Sequence, residues 1–222
     1  MDLIKHKIRF LNEDFFFFAP LGDDCPRGTL AGLQKNDWGL DKIDFKSGDI
    51  FCDIGCNVGI VSMAIAKLFP YAMGLSFDPN PLAIHCLKMG CRENKINNLC
   101  IYNLAIGDKT KTKAKFVTYS ENETCTVEAE IANKRDFSYL SDILSVDELF
   151  DTYLPNKQVK FLKCDIEGGE FKLFDHLFDN RPDLLDRIEN LHLEIHPFDD
   201  SNPPTKKLKE QVIKKFGNRV KF

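Results

Sequence analysis

The sequence predicts a mostly parallel α/β sheet of the Rossmann-like kind, with helices on both faces and a small N-terminal appendage. Apolar runs of strand length alternate with helical patterns over most of the 222 residues, which is typical of repeated βαβ units. A glycine-containing turn joins the first strong strand to its helix, and several strands end in acidic residues. Because the carboxyl ends of parallel strands meet at one edge of a sheet, these acids should gather at a single ligand-binding rim.

The appendage is predicted to span residues 1–47, and the main domain residues 48–222. Within the appendage, Lys7 to Phe10 and Asp14 to Phe18 indicate a β-hairpin, and Thr29 to Leu40 indicates a short helical region. The run Phe15 to Phe18 is far too short to span a bilayer. An exposed apolar patch is the alternative interpretation of that run.

The main domain begins with the buried strand Ile50 to Ile54, a turn with the pattern Asp53-x-Gly55-x-Asn57-x-Gly59, and a helix from Ile60. Glycine tolerates positive φ and lets a ligand approach the backbone. A dinucleotide site prefers G-x-G-x-x-G, so that pyrophosphate can rest on bare backbone. An acid before the turn and a side chain at its centre suit a ligand with an ammonium group and no phosphate, which describes S-adenosylmethionine. An ordinary glycine turn after a core strand is the alternative.

The second strand, Ala72 to Phe77, ends in Asp78-Pro79. Asp78 lies nineteen residues past Gly59, close to where a Rossmann-type crossover delivers a carboxylate to ribose hydroxyls. Pro79 could pack on an adenine face. A plain turn that starts the next helix is the alternative for both residues.

The third predicted strand is Cys100 to Ile106. In this fold class the end of that strand passes the adenine, so Asn103 and Leu104 are candidate neighbours of the cofactor.

Two later strands complete the predicted rim. Val159 to Asp165 is followed by Glu167 and a glycine pair, and Leu191 to His196 alternates strictly between apolar and polar residues. The polar face of the last strand carries His192, Glu194 and His196.

Four blocks of this sequence resemble the signature blocks of the FkbM-type methyltransferases, class I enzymes that transfer a methyl group from S-adenosylmethionine, characteristically to hydroxyl oxygens. The resemblance runs from about Lys46 to about Lys221. Two residues depart from the pattern: Asp78, where the family more often has Glu, and Cys56, where Ala is usual. The blocks are Asp53-x-Gly-x-Asn-x-Gly59, Phe77-Asp-Pro-Asn-Pro81, Leu162-Lys-x-Asp-x-Glu-Gly168 and Leu193-Glu-x-His-Pro197.

The resemblance implies a class I methyltransferase sheet, and catalytic roles follow from the chemistry of methyl transfer. His196 is predicted to be the general base, because imidazole titrates near neutral pH. Asp165 is predicted to hold the methionine ammonium group or the acceptor, and Glu167 to orient the acceptor hydroxyl. The alternatives are that Glu167 caps the next helix and that His196 satisfies a loop carbonyl.

Glu194 and Trp38 are predicted to contact the substrate. Segments before the first strand commonly cover the substrate side in class I methyltransferases, which brings Trp38 to the acceptor; a purely structural cap is the alternative. No metal is predicted, because His192 and His196 lie about 13 Å apart along a strand and cannot share one ion.

The amino-acid composition bears on the class of binding partner and on the cellular compartment. A formal charge of −4 and a pI near 5.8 do not suggest a general nucleic-acid binder. Eight cysteines without a C-x-x-C pair favour a reducing cytoplasm over a disulfide framework. No membrane span is expected, and the oligomeric state stays open.

The predicted function is O-methylation of a hydroxyl on a saccharide or a natural-product intermediate. A nucleic-acid or protein methyltransferase, or a catalytically silent cofactor-binding module, are the alternatives, since acceptor specificity lies in loops without a readable code.

Overall fold

The computed structural model of the chain describes residues 2–130, 137–196, 199 and 201–222. Short 3-10 or π-helical turns lie at Leu40–Lys42, Leu149–Tyr153 and Gly217–Arg219. The helices are α1 (Pro26–Lys35), α2 (Ile60–Leu68), α3 (Pro81–Asn94), α4 (Val146–Glu148), α5 (Glu170–Asp179), α6 (Pro182–Leu185) and α7 (Pro203–Phe216). The strands are β1 (Leu3–Phe10), β2 (Glu13–Pro20), β3 (Ile50–Ile54), β4 (Met73–Phe77), β5 (Leu99–Tyr102), β6 (Ala105–Gly107), β7 (Lys111–Thr118), β8 (Val127–Glu128), β9 (Phe137–Ser145), β10 (Val159–Cys164), β11 (Ile188–Leu193) and β12 (Val220–Lys221).

The central sheet has the strand order β12-β11-β10-β3-β4-β5. All of its strand pairs are parallel. The chain builds outward from β3 through β4 to β5 and then returns to β10 on the other side of β3. Such a reversal is the topological switch point at which ligands bind in open α/β sheets. The predicted α/β fold is confirmed, with β3 central, β10 beside it and β11 next outward.

Helices cover both faces of the central sheet, as predicted. Alternate residues of β3 pack against the helices on opposite faces of the sheet, because successive side chains of a strand point to opposite faces. Ile50, Cys52 and Ile54 belong to a cluster with α5, α6 and α7. Phe51 belongs to a second cluster with α2, α3 and the N-terminal hairpin.

The N-terminal hairpin pairs β1 with β2 around Leu11 and Asn12, which have φ values of 46° and 70°. It packs on α3 through Asn94, whose side chain accepts the Phe16 N–H at 2.8 Å and donates to the Phe16 carbonyl at 2.6 Å. Phe15 and Phe17 are each 1% exposed. The apolar run is therefore a core strand, and its interpretation as an exposed patch is wrong. The domain boundary after residue 47 stays a prediction.

The third predicted strand is not continuous, which corrects the range Cys100 to Ile106. The chain leaves the central sheet after β5, and β6 joins a second sheet with the order β6-β9-β7-β8. The break falls at Asn103, whose side chain donates to the carbonyls of Asp78 and Pro79, each at 3.0 Å. An amide turned back on the β4 loop in this way ends the pairing of β5.

Within the described part of the chain, no helix has both the length and the apolar character that crossing a bilayer demands.

Candidate functional site

A cavity of about 390 Å³ lies at the carboxyl edge of the central sheet, at the switch point between β3 and β10. Its described lining includes most of the predicted site residues: Trp38, Gly55, Asn57, Asp78, Pro79, Asp165, Glu167 and Glu194. The described lining does not include five others: Asp53, Gly59, Asn103, Leu104 and His196. The third strand region instead contributes Ala105 to Asp108, a few residues later than predicted.

The glycine turn has the backbone that the sequence pattern predicts. Gly55 and Gly59 have φ values of 77° and 79°, and Asn57 has 51°. A Cβ atom on Gly55 would lie 1.7 Å from the backbone oxygen of Asp165, so this glycine allows the β3 and β10 loops to touch. A Cβ on Gly59 would instead meet Leu87 of α3 at 2.1 Å. Gly59 therefore serves helix packing, while Gly55 shapes the cavity.

Asp53 lies behind the cavity wall in a buried polar network. It is 1% exposed, and its Oδ2 accepts a hydrogen bond from the Ser62 hydroxyl at 2.5 Å. The Ser62 and Ser76 hydroxyls are 2.7 Å apart. Asp53 Oδ1 forms an ion pair at 3.5 Å with the ammonium group of Lys163. In this geometry Asp53 stabilises the turn from behind the cavity lining, and its predicted contact with the cofactor stays a prediction.

Lys163 connects the residues at the carboxyl ends of β3 and β10, and it is not among the site residues predicted from the sequence. Its buried Nζ donates to the Gly55 carbonyl at 2.9 Å and to Asp165 Oδ2 at 3.1 Å. Burial alone would lower the pKa of Lys163, but the carboxylates of Asp165 and Asp53 outweigh it and raise that pKa. One signal was available: a lysine inside the otherwise buried strand β10 needs acidic partners.

Asp78 lines the cavity while it supports both loops around it. Oδ2 accepts the Asn57 N–H at 2.9 Å, and Oδ1 accepts the Asn80 N–H at 2.8 Å. Burial raises the pKa of Asp78 to about 7, although these two N–H donors oppose the shift. The carboxylate is thus fixed beside the glycine turn, where ribose hydroxyls would be expected.

Glu167 lies in a tight turn after β10. Glu167 and Gly168 have φ values of 54° and 103°. The turn is held by the fully buried Glu170, whose carboxylate accepts the N–H groups of Ile166 at 2.9 Å and Gly168 at 2.8 Å. Glu170 therefore stabilises the turn and the start of α5. Glu167, which lies in the same turn, lines the cavity.

His196 is packed between two carboxylates. Its Nδ1 lies 3.1 Å from Glu170 Oε1, and its Nε2 lies 3.7 Å from Glu167 Oε2. Burial would lower the pKa of His196, but Glu170 and Glu167 outweigh it and raise that pKa to about 9. A raised pKa disfavours the neutral imidazole that a general base needs near neutral pH. The general-base role of His196 stays a prediction.

The cavity lining also includes two buried rings, Trp38 and His192, with centroids 5.4 Å apart. Each residue is about 5% exposed or less, and within the described structure Trp38 Nε1 and His192 Nδ1 have no hydrogen-bond partner. Burial and the nearby Lys163 lower the pKa of His192 to about 3. Burial and Asp165 raise the pKa of the neighbouring Glu194 to about 7. His192 was grouped with Glu194 by strand alternation, but no role was assigned to it.

A family model described as the methyltransferase FkbM domain matches residues 53–220. The chain belongs to the FkbM methyltransferase family. The resemblance based on four short motifs is thereby confirmed, and the chain is placed among methyltransferases. This family match leaves the acceptor open.

A curated relative of this FkbM domain is Methyltransferase 1 of Beauveria bassiana (strain ARSEF 2860). The two are 22% identical over 171 residues, and the match spans 67% of this chain and 66% of the relative. Among solved structures, an rRNA methylase from Streptococcus thermophilus is 13% identical, with 82% of this chain and 77% of that chain covered and a TM-score of 0.45. M. jannaschii TYW2 in complex with AdoMet is 11% identical, with 95% and 73% covered and a TM-score of 0.48. These similarities are too low to assign an acceptor to this chain.

Proposed function

We propose that this FkbM-family chain uses S-adenosylmethionine to methylate a hydroxyl group on a saccharide or a natural-product intermediate. The observation that carries the proposal is the cavity at the switch point. The glycine turn and Asp78 line this cavity, and so do Trp38, His192 and Glu194. A cofactor and a polar acceptor can therefore meet in one cavity.

Several lining residues fit the ribose, the methionine ammonium group and the purine of S-adenosylmethionine. Asp78 would accept hydrogen bonds from the ribose hydroxyls, and Asp165 would hold the methionine ammonium group. Pro79, Ile106 and Phe116 also line the cavity and give it an apolar surface suited to a purine. Bound there, the cofactor supplies a methyl group on a sulfonium with a good leaving group, so the main task of the protein is alignment.

Glu194 is our candidate for the general base, in place of His196. Glu194 lines the cavity, and its raised pKa of about 7 allows it to accept an acceptor hydroxyl proton near neutral pH. His196 contacts Glu167 and Glu170 and is not among the described cavity-lining residues, and its raised pKa of about 9 disfavours proton acceptance near neutral pH. We therefore assign His196 a positioning role, in which it holds the Glu167 and Glu170 carboxylates in place.

The pH dependence of turnover distinguishes the two candidates. With Glu194 as the base, turnover should rise as pH increases through about 7, because the carboxylate must be ionised. Glu194→Gln should remove that rise and lower turnover by about 10²–10⁴-fold. His196→Gln is the matched variant and should keep the rise but move it to higher pH, because the charge on His196 lowers the pKa of Glu194. A rate that increases instead through about 9, and loses this increase in His196→Gln, would restore the histidine as the base.

A metal ion is not required in this proposal. The donor atoms of Asp165, Glu194 and His196 lie within 4.8 Å of one another, which makes them a candidate group for a divalent cation. However, the buried Lys163 ammonium, 3.1 Å from Asp165 Oδ2, would repel a divalent cation more strongly than a singly charged ammonium group, and His196 Nδ1 faces Glu170. The pH profiles should therefore be unchanged after exhaustive chelation. Loss of turnover on chelation and rescue by an added metal would contradict this assignment.

The acceptor class is tested with a panel of compounds and trideuteromethyl-labelled cofactor. The described lining has more acidic than basic residues: Asp37, Asp78, Asp108, Glu128, Asp165, Glu167 and Glu194 against Lys163 and Lys172. Such a lining disfavours the phosphates of a nucleic acid. We expect label on a hydroxylated glycan or small alcohol, and little on RNA, DNA or protein. Preferential labelling of a nucleic acid would contradict the proposal, and cofactor binding without any transfer would favour the silent module.

A further inference from the structure

Two cysteines that are far apart in sequence meet at the cavity wall. Cys25 directly precedes α1, and Cys125 lies in the loop before β8; both line the cavity and both are half-buried. The Cys125 N–H donates to Cys25 Sγ at 3.1 Å. Neither residue has a part in the proposed methyl transfer.

The contact places the two residues close to disulfide geometry. A backbone nitrogen 3.1 Å from the Cys25 sulfur limits the separation of the two Cα atoms to at most about 7.4 Å with standard bond lengths. Disulfide-bonded cysteines have Cα atoms roughly 4.4–6.8 Å apart. A small rotation of the side chains and a small closure of the loops would therefore bring the sulfur atoms into bonding distance.

The neighbouring hydrogen bonds already hold the two segments together. The Thr124 hydroxyl donates to Asp23 Oδ2 at 2.6 Å, and Asp23 Oδ1 accepts the Cys25 N–H at 3.0 Å. The Asn57 side chain donates to Cys125 Sγ at 3.5 Å. The thiol pair therefore lies where three segments contact one another: the N-terminal segment, the loop before β8 and the tip of the glycine turn.

We propose that Cys25 and Cys125 form a redox-modification site, which a low-molecular-weight disulfide such as glutathione disulfide converts to an internal disulfide bond at the cavity wall. The Cys25 thiolate attacks glutathione disulfide and releases one glutathione. The Cys125 thiolate then attacks the Cys25 sulfur and releases the second glutathione. The two cysteines together lose two protons and two electrons, and glutathione disulfide gains them.

The order of attack follows from the pair itself. The pKa of the Cys125 thiol is raised, chiefly by a hydrogen bond with the Cys25 thiol and to a smaller extent by burial. Cys125 is therefore a poor nucleophile while Cys25 is a free thiol. Once Cys25 carries glutathione, that thiol–thiol hydrogen bond is gone and Cys125 becomes the resolving thiol.

The bond would tie the N-terminal segment to the methyltransferase domain beside Asn57. We expect S-adenosylmethionine to associate and dissociate more slowly in the oxidised protein, and this consequence rests on the proposed function. The cross-link itself does not, because it depends only on the two thiols. Closure of so long a loop should also raise the melting temperature by about 5–10 °C.

The test treats the full chain with excess glutathione disulfide and maps the products by mass spectrometry without reduction. We expect a protein lighter by two hydrogen atoms and a linked peptide pair that contains Cys25 and Cys125. Cys125→Ser should stop at the mixed disulfide on Cys25, while Cys100→Ser, a change at an exposed cysteine, should still form the internal bond. Both serine variants are first checked for the wild-type melting temperature under reduction.

Two results would overturn the proposal: glutathione adducts without an internal bond, or a bond between other cysteines. An internal bond that leaves cofactor exchange unchanged would overturn only the expected effect on the cofactor. Failure of the proposed function is distinguishable from all of these. In that case the linked peptide and the higher melting temperature appear, but neither the reduced nor the oxidised protein binds S-adenosylmethionine.

Discussion

Replacing Gly55 by alanine should abolish cofactor binding and destabilise the fold by more than about 3 kcal/mol. The positive φ of 77° alone disfavours an L-residue by roughly 1–2 kcal/mol. The added Cβ would also overlap the Asp165 backbone, at 1.7 Å from its oxygen and 2.8 Å from its carbonyl carbon. Both atoms belong to the loop that faces the cavity, so the loops would have to separate. Urea-induced unfolding and calorimetric titration measure the two effects.

Gly22→Ala is the matched control for this change. Gly22 also has a positive φ, at 86°, but a Cβ there would meet nothing within 4 Å. Its loss of stability should therefore stay near the backbone contribution of about 1–2 kcal/mol. Equal losses in the two variants would show that the contact between the β3 and β10 loops is unimportant.

The second large effect is expected for Lys163→Met, which should lower the free energy of unfolding by about 3–5 kcal/mol. The substitution preserves much of the side-chain volume but leaves Asp53, which is 1% exposed, without its cation. It also releases the Gly55 carbonyl and Asp165 Oδ2 from Nζ. The cofactor loops should loosen together with the core, so S-adenosylmethionine affinity should fall as well.

The same strand provides the control for Lys163. Lys160 pairs with Glu189 at 2.6 Å, and the Glu189 side chain is half exposed. Lys160→Met should therefore change stability by no more than about 1 kcal/mol. If both methionine variants unfold at the same denaturant concentration, the buried ion pair does not stabilise the site as argued.

The sheet and the cofactor half of the site were predictable because their signals are local. Ile50 to Ile54 is a continuous apolar run, and Gly55 and Gly59 mark backbone that other residues rarely adopt. Parallel strands then bring their carboxyl ends together without further information. The position of Asp78 at the same rim followed from its distance along the chain.

The catalytic half was not predictable in the same way, because it depends on contacts between distant segments. His196 was interpreted from its intrinsic chemistry, yet its pKa is set by Glu170 and Glu167, from the turn after another strand. The rings of Trp38 and His192 lie with their centroids 5.4 Å apart although more than 150 positions separate them in sequence, and neither Trp38 Nε1 nor His192 Nδ1 has a hydrogen-bond partner among the described residues. Asn103 was expected beside the cofactor, but its amide turns back onto the loop after β4.

The most direct test of the central claim, that the cavity at the switch point holds S-adenosylmethionine, is calorimetric titration of the full chain with S-adenosylmethionine and with NAD. We predict binding of S-adenosylmethionine and no appreciable binding of NAD. Asp78→Ala should weaken S-adenosylmethionine binding by about 1.5–3 kcal/mol, Asp78→Glu should weaken it much less, and Asp44→Ala at an exposed ion pair should leave it unchanged. Comparable affinity for NAD, or no affinity for S-adenosylmethionine or its demethylated product, would contradict the account.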